Sequence, residues 1–223
     1  MTKIILASGS PRRKQLLSQV GIPCEVIVSG ADETIDGPPD IQVRELAQRK
    51  AKAVREMLAE REVEEFCKAN STWTMDDVAA VRNTAGDDAV IIAADTLVYI
   101  DNKVLGKPGS QAEAYDMLRT LGGRGHTVYT GVAILRGKDS RVFVDATQVY
   151  FRRLSDVEIN GYIATGEPMD KAGAYGVQDK GALLVERVEG DYFTVVGLPV
   201  AKVAAALREM GVEVWGSRDS WPE

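Results

Sequence analysis

Residues 4–13 read IILASGSPRR, and this stretch decides the fold. Its first four residues are all apolar, which predicts a short buried strand. Ser10 is a favourable N-cap residue and Pro11 suits the first helical position, so a helix is expected to begin there. Gly21 is expected to end that helix. A strand followed at once by a helix is typical of α/β proteins.

Two arginines, Arg12 and Arg13, lie in the first turn of the predicted helix. Cations there oppose the helix dipole, which favours anions at this end by about 0.3–1 kcal/mol each. Free backbone N–H groups at the same end also attract an anion, most simply a phosphate. The alternative is a pair of solvated arginines at the start of a surface helix, and this segment alone leaves both interpretations open.

The composition is that of an ordinary globular protein, since 45% of the 223 residues are hydrophobic and 27% are charged. The length suits one large α/β domain or two small lobes. No segment approaches the roughly 18 apolar residues of a membrane span, and no signal-peptide pattern follows Met1. Cys24 and Cys67 form no metal or redox motif, which favours a cytoplasmic location.

The net charge of −6 argues against stable nucleic-acid binding, so an anionic ligand needs a local cluster of basic residues. The single histidine, His126, excludes any site built from several histidines. It is interpreted as a polar residue near the start of a strand.

Strand and helix patterns alternate along most of the chain. They predict an α/β fold with a mixed twisted sheet flanked by helices, arranged as two lobes around a cleft. The expected strands after the first cover residues 24–28, 90–94, 97–100, 103–105, 127–135, 141–151, 182–188 and 192–196. The expected helices run from about 41 into the 60s, from 110 to 122, from 155 to 166 and from 199 to 210. Capping boxes introduce two of them, Ser110 with Glu113 and Ser155 with Glu158.

Residues 60–88 form the least regular part of the chain. The segment Thr74-Met75-Asp76-Asp77 resembles the cap of a further short helix. Its acidic pair is interpreted as part of a solvated loop, with metal binding as the alternative. Farther on, Asp101-Asn102 is expected to form a hairpin turn.

Four polar clusters follow apolar strands or occupy glycine-rich loops, which is where α/β proteins tend to place ligand-binding groups. They are residues 8–13, Asp32-Glu33, Asp95-Thr96 with Lys107, and residues 167–178.

Asp95 follows five apolar residues, so its carboxylate is expected to emerge where the strand leaves the core. A carboxylate there can hold a hard divalent cation or orient a water molecule as a general base. The alternative is an N-cap or turn residue. Two carboxylates, Asp95 and Glu33, together with two arginines would suit Mg²⁺-assisted chemistry on a polyphosphate.

The remaining candidates are weaker. Lys107 lies between a glycine and a proline, in a loop that can present an ammonium group to a phosphate, although most loop lysines are only solvated. Lys52 alone is interpreted as a surface charge on the long helix. Glycines at 173 and 176 permit close backbone approach, so Tyr175 and Gln178 could contact a base or sugar, unless the glycines serve only chain geometry. The known phosphate-loop, nucleophile-elbow and dinucleotide-binding motifs are absent from the sequence.

In this order, the clusters resemble the Maf family of nucleoside triphosphate pyrophosphatases. The matching segments are LASGSPRR at 6–13 with Leu16-Leu17, Asp32-Glu33, Ala94-Asp95-Thr96, Gly106-Lys107-Pro108, DKAGAYGVQ at 170–178 and Val196-Gly197-Leu198-Pro199. The resemblance covers nearly the whole chain except residues 60–88.

The resemblance implies a fold like that of the inosine triphosphate pyrophosphatases. It also implies hydrolysis of a nucleoside triphosphate to the monophosphate and pyrophosphate, assisted by Mg²⁺ or Mn²⁺. By position, Asp95 corresponds to the proton acceptor, and Glu33 with Asp95 to the metal ligands. The phosphate-binding set corresponds to Ser10, Arg13, Lys52 and Lys107, and the specificity set to Arg12, Thr96 and Gln178. The specificity residues resemble those of the branch that acts on dTTP and UTP.

The same resemblance implies one domain over residues 1–223, with a helical insertion at about 60–88, and a homodimer as a possible assembly. A different hypothesis is a regulatory module that senses nucleotides with little hydrolysis and contacts a protein partner through residues 60–88. The intact set of Asp95, Glu33 and Lys107 argues against it, because a sensor has no need of hydrolytic groups.

Overall fold

Seven strands form one mixed sheet in the computed structural model, which describes residues 2–215. In chain order they are β1 (Lys3–Leu6), β2 (Glu25–Val26), β3 (Ala89–Ile100), β4 (Lys103–Leu105), β5 (Gly125–Arg136), β6 (Asp139–Phe151) and β7 (Val185–Glu189). Across the sheet the order is β2-β1-β3-β5-β6-β7, and β4 pairs with β3. β1 is parallel to both of its neighbours, whereas the other pairs are antiparallel. The predicted α/β class with a mixed sheet is confirmed.

The described residues also form seven α-helices and three short 3₁₀ helices. The α-helices are α1 (Pro11–Gln19), α2 (Pro39–Ala69), α3 (Met75–Thr84), α4 (Gln111–Leu121), α5 (Asp156–Ala164), α6 (Tyr192–Val196) and α7 (Val200–Glu209). The 3₁₀ helices cover Glu167–Asp170, Ala172–Ala174 and Asp179–Leu184. No helix between residues 2 and 215 is long and apolar enough to cross a membrane.

The helices pack on both faces of the sheet. Because successive residues of a strand point to opposite faces, β1 and β3 contribute to two separate cores. Ile5 and Ile91 pack against α2, whereas Leu6 and Ile92 pack against α1 and α7 on the other face. Farther along β3, Val98 packs against α4 and α5. The long helix α2 is therefore the principal cover of one face, and the shorter helices share the other.

Two of the predicted capping motifs are confirmed. At the start of α3, the Thr74 hydroxyl accepts a hydrogen bond from the Asp77 backbone N–H, and the Asp77 carboxylate accepts one from the Thr74 backbone. Ser155 and Glu158 form the same reciprocal pair at the start of α5. Residues 60–88 therefore contain the end of α2 and the whole of α3.

Two other caps differ from the prediction. Ser110 caps α4 by accepting from the Glu113 backbone, but the Glu113 carboxylate accepts from Gly109 N–H instead of Ser110 N–H. At α1, the Ser10 side chain makes no capping hydrogen bond, and its backbone N–H donates to the Ser8 hydroxyl. The helix nevertheless begins at Pro11, as expected.

The predicted strand at 192–196 is wrong, because these residues form α6. Their β-branched and aromatic side chains favour a strand locally. Two flanking residues override that preference. The Asp191 carboxylate accepts a hydrogen bond from Phe193 N–H at the start of the helix, and Gly197 ends it with a φ of +118°.

The prediction that a strand ends at Asp95 is also wrong. Residues 89–100 form one continuous strand, because β5 pairs with β3 from Val90 to Tyr99 without interruption. The following turn is the predicted hairpin, with positive φ angles of 51° at Asp101 and 58° at Asn102. Asp95 therefore lies inside a strand. A ligand can reach it only if a neighbouring strand leaves that part of β3 uncovered.

Candidate active site

A cavity lies beside a gap along the edge of β3. β1 pairs with β3 only as far as Ile92, and β4 pairs with β3 from Val98 onward. Between these two points the edge of β3 opens onto a cavity of about 800 Å³. Asp95 and Thr96 both line this cavity although they point to opposite faces of the sheet. The cavity can thus receive side chains from both faces.

One face supplies Arg13, which reaches the gap from the first turn of α1. Its Nε–H donates to the Gly197 carbonyl at 2.8 Å, and its Nη1 donates to the Ala94 carbonyl at 2.7 Å and the Ser8 hydroxyl at 3.0 Å. Its Nη2 donates to the Thr96 hydroxyl at 3.0 Å. We call this group, Ser8, Arg13 and Thr96, the arginine face.

All four oxygens that accept hydrogen bonds from Arg13 are neutral. No carboxylate among them neutralises the positive charge of Arg13, and the hydrogen bonds fix the position of its guanidinium group. Burial lowers the pKa of Arg13, and the nearby charge of Asp95 opposes that shift. A guanidinium remains charged under either influence. The Ala94 carbonyl belongs to the part of β3 that β1 leaves unpaired, and Arg13 supplies its donor. The arginine face therefore presents a fixed cation.

The other face supplies Lys50 from α2, together with Asp95 and Glu33. We call these three residues the carboxylate face. Lys50 Nζ lies 2.6 Å from Asp95 Oδ1 and 2.8 Å from Glu33 Oε1. The Lys50 and Asp95 side chains are mostly buried, at 11% and 15% exposure, whereas Glu33 is 62% exposed. The hydrogen bond from Lys50 lowers the pKa of Glu33.

A glycine on β5 allows α2 to lie close enough for this contact. Gly131 is the cross-strand partner of Asp95, and a Cβ atom there would lie 2.2 Å from the carbonyl oxygen of Val43. The backbone of α2 thus rests directly on the strand beside Asp95. From Val43, Lys50 lies seven residues, or about two helical turns, farther along the same side of α2.

The segment from 167 to 178 forms a further wall of the cavity, with Asp170, Lys171, Tyr175 and Gln178 among its lining residues. Internal hydrogen bonds hold this segment. The Tyr162 hydroxyl donates to the Glu167 carboxylate at 3.0 Å and accepts from Gly176 N–H at 3.2 Å.

A buried histidine lies behind the same wall. His126 is only 2% exposed, and its Nε2 lies 2.7 Å from the Tyr175 hydroxyl. Burial lowers the pKa of His126 to about 4, so the ring is neutral at pH 7. Its position as the second residue of β5 agrees with its interpretation as a polar residue near a strand start. It does not line the cavity.

The structure brings together eight of the nine residues named from the resemblance. The cavity is lined by Ser10, Arg12, Arg13, Glu33, Asp95, Thr96, Lys107 and Gln178. Arg12 also contacts Asp170, with its Nη1 at 3.4 Å from Oδ2.

The exception is Lys52, which is exposed on α2 and does not line the cavity. Lys50 lies where Lys52 was expected. A signal for Lys50 was present in the sequence, because the buried residues of α2 recur at helical spacing. That stripe contains Val43, Leu46, Ala47, Lys50, Ala51, Val54 and Leu58. A lysine inside a buried apolar stripe is a better candidate for a functional residue than a lysine on the solvent side of the helix. Lys52 lies outside the stripe.

The carboxylates present fit a divalent cation only in part. Among residues 2–215 there is no group of three or more histidine, cysteine, aspartate or glutamate side chains that could hold a metal ion. Two carboxylates, Asp95 and Glu33, do converge on one cation, the Lys50 ammonium. Such a pair suits Mg²⁺, which usually takes one or two carboxylates and completes its shell with water and substrate phosphates.

Fold and site together define an α/β protein with a cavity that combines a fixed arginine with two carboxylates. The family model for Maf-like proteins matches residues 3–210, and the chain belongs to this family. The resemblance found in the sequence motifs is therefore confirmed.

Relatives with assigned names match over nearly their full length. They include proteins named dTTP/UTP pyrophosphatase from Bacillus cereus (strain ZK / E33L), Bacillus thuringiensis subsp. konkukian (strain 97-27) and Bacillus anthracis (strain CDC 684 / NRRL 3495). Each is 42% identical over 217 residues, which cover 96% of this chain and 98% of the relative.

Proposed function

We propose that this protein hydrolyses dTTP and UTP to the nucleoside monophosphate and pyrophosphate, with Mg²⁺ or Mn²⁺ as the cofactor. The observation that carries the proposal is the meeting of the arginine face and the carboxylate face at one gap in the sheet. The names of the Bacillus relatives support the choice of substrate. The cytoplasm is the proposed location, and the homodimer implied by the family remains a prediction.

Asp95 is the proposed general base. Its Oδ1 accepts a hydrogen bond from Lys50, and we assign the second oxygen, Oδ2, to the attacking water. The water oxygen forms a bond to the α-phosphorus, its proton passes to Asp95, and the bond from the α-phosphorus to the bridging oxygen breaks. Pyrophosphate leaves with that oxygen. Asp95 is part of β3, and its side chain is mostly buried but lines the cavity.

The cations neutralise the charge of the triphosphate. Arg13 is already in place, and it keeps one N–H on Nη2 beyond the four that it donates to the protein. Lys107 is exposed on the cavity wall and can reach a phosphate without breaking a described contact. Glu33 and Asp95 would hold the divalent cation, which when bound stabilises negative charge on the phosphoryl oxygens.

Lys50 has a different task in this proposal, because it is paired with both carboxylates in the free protein. A cation that binds Glu33 and Asp95 competes with the Lys50 ammonium for the same oxygens. Lys50 is then available to phosphate oxygens of the substrate. Arg12, Thr96 and Gln178 line the remaining part of the cavity, where we expect the nucleobase to be selected.

The proposal is tested by incubating the protein with a panel of nucleoside triphosphates and Mg²⁺ or Mn²⁺, with formation of the monophosphate as the readout. We expect dTTP and UTP to be the preferred substrates. Asp95→Asn is expected to lower turnover on the order of 1000-fold, because the amide cannot accept the proton.

The matched control is Asp32→Asn, which changes an exposed acid next to Glu33 that does not line the cavity. It should retain near-normal turnover. Near-normal turnover of Asp95→Asn would refute the assignment of the base, and tight nucleotide binding without monophosphate formation by the unaltered protein would favour a sensor instead.

A further inference from the structure

A chain of hydrogen bonds runs from Arg13 into the interior of the sheet. Arg13 Nη2 donates to the Thr96 hydroxyl at 3.0 Å, and the Thr96 and Thr130 hydroxyl oxygens are 2.9 Å apart. Thr130 is the cross-strand partner of Thr96 on β5. The Thr130 hydroxyl in turn donates to the carbonyl of Thr194 at 2.8 Å.

The direction of every hydrogen bond in this chain is determined. A threonine hydroxyl carries one proton, and that of Thr130 goes to the Thr194 carbonyl, which can only accept. Thr130 must therefore accept from Thr96. The proton of Thr96 is thus directed away from Arg13, and a lone pair of its oxygen is left for the guanidinium.

The inner end of the chain is buried and anchored. Thr130 and Thr194 are completely buried, and neither lines the cavity. The Thr194 hydroxyl also bonds to the Asp145 carboxylate, which pairs with Lys202. α6 therefore reaches Arg13 by two routes, directly through the Gly197 carbonyl at its end and indirectly through Thr194, Thr130 and Thr96.

We propose that Thr130 is a positioning residue for Arg13. By accepting the proton of Thr96, it presents Thr96 to Arg13 as an acceptor and thereby fixes the plane of the guanidinium. That leaves the free Nη2 N–H in one constant place for an anion. The effect on substrate binding rests on the function proposed above, whereas the effect on Arg13 itself does not.

The first test observes Arg13 directly, by NMR of the arginine side-chain N–H groups in the protein without nucleotide. Hydrogen bonds donated by all three nitrogens should slow rotation about the C–N bonds of Arg13 and keep its terminal N–H signals distinct. The signals are identified by their loss in Arg13→Lys. In Thr130→Val they should broaden or average, and Thr130→Ser should restore the distinct signals because it keeps the hydroxyl.

Thr147→Val is the matched control. Thr147 is also buried on a neighbouring strand, and its hydroxyl likewise donates to a backbone carbonyl at the start of α6, that of Asp191 at 3.0 Å. It has no described hydrogen bond to Thr96. This variant removes the same group from the same interface and should leave the Arg13 signals unchanged.

The second test is kinetic. Loss of the Thr130 hydroxyl removes its hydrogen bonds to Thr96 and Thr194. The resulting displacement of Arg13 should raise the KM of Thr130→Val for UTP by about tenfold. The value of kcat should change less than about twofold, because Arg13 is expected to bind the substrate and the transition state alike. Thr147→Val should keep the KM of the unaltered protein. Thr130→Ser should have a KM close to that value, because it keeps the hydroxyl.

Unchanged Arg13 signals in Thr130→Val would overturn the proposal, as would equal effects of Thr130→Val and Thr147→Val on KM. If Thr130→Val does not fold, Thr130→Ala serves the same comparison. A failure of the unaltered protein to hydrolyse UTP would instead contradict the proposed function, and the NMR comparison would still decide the role of Thr130.

Discussion

The arginine face and the carboxylate face hold their cations in opposite ways. Arg13 donates four hydrogen bonds to neutral oxygens, so its charge remains available to an anion. Lys50 lies between two carboxylates that neutralise it. Under the proposed function, one side of the cavity is preorganised for a phosphate, whereas the other side would have to rearrange when a metal ion and a nucleotide bind.

Of the variants that test this comparison, the one that should change the activity most is Lys50→Met, which alters the carboxylate face alone. We expect UTP turnover to fall on the order of 100-fold, because a cation next to the reacting phosphate is lost. Without nucleotide, the same variant should bind Mn²⁺ more tightly than the unaltered protein does, since the ammonium no longer competes for Asp95 and Glu33. Titration with Mn²⁺ measures this directly.

Lys52→Met is the matched control for this variant, because Lys52 lies on the same helix, is exposed and does not line the cavity. It should change neither turnover nor Mn²⁺ affinity. Weaker or unchanged Mn²⁺ binding by Lys50→Met would break the comparison, because it would mean that Lys50 does not compete with the cation.

The next effect concerns the stability of the arginine face. Arg13→Lys keeps the charge but loses the planar arrangement of donors that reaches Gly197, Ala94 and Thr96. We expect the free energy of unfolding to fall by about 3 kcal/mol, since hydrogen bonds from a charged donor are lost in a partly buried place. Denaturation with urea measures the change.

Arg12→Lys provides the control for stability. Arg12 precedes Arg13 on α1, and its one described ion pair, with Asp170 at 3.4 Å, is partly exposed. Its replacement should cost less than about 1 kcal/mol. Equal losses in the two variants would show that the hydrogen bonds of Arg13 do not distinguish the arginine face.

The smallest of the three effects is expected from Gly131→Ala. A Cβ atom at this position would lie 2.2 Å from Val43 O, so α2 must shift away from β5. We expect a loss of about 2 kcal/mol in unfolding free energy from this overpacking. Turnover should also fall, because the shift separates Lys50 from Asp95.

Gly161→Ala is the matched control, because Gly161 lies inside α5 and a Cβ atom there has no neighbour within 4 Å. This change should raise the unfolding free energy by about 1 kcal/mol, since alanine favours a helix. If Gly131→Ala were equally harmless, close packing of α2 would not explain how Lys50 reaches Asp95.

Local sequence patterns predicted much of the site. The residues of the quoted motifs converge on one cavity because they lie on β3 at the gap in the sheet or in segments next to that gap. Lys50 could also have been found, since it lies in the buried stripe of α2. Lys52 was named only from the family resemblance, whereas its interpretation from the residues alone, as a surface charge on the long helix, agrees with its exposed position.

Other features depend on contacts that no local pattern contains. The pairing of Thr96 with Thr130 and of Asp95 with Gly131 is set by the register of β3 against β5, two strands far apart in the chain. The gap that exposes Asp95 exists because β1 is short, whereas β3 itself continues. The sequence indicates where each strand lies in the chain. It does not indicate which strand pairs with it or where that partner strand ends.

Hydrolysis of UTP in water enriched in ¹⁸O tests the central claim most directly. If water attacks the α-phosphorus, as the proposed mechanism requires, the label appears in UMP and the pyrophosphate remains unlabelled. Label in pyrophosphate, or formation of UDP and phosphate, would contradict this mechanism.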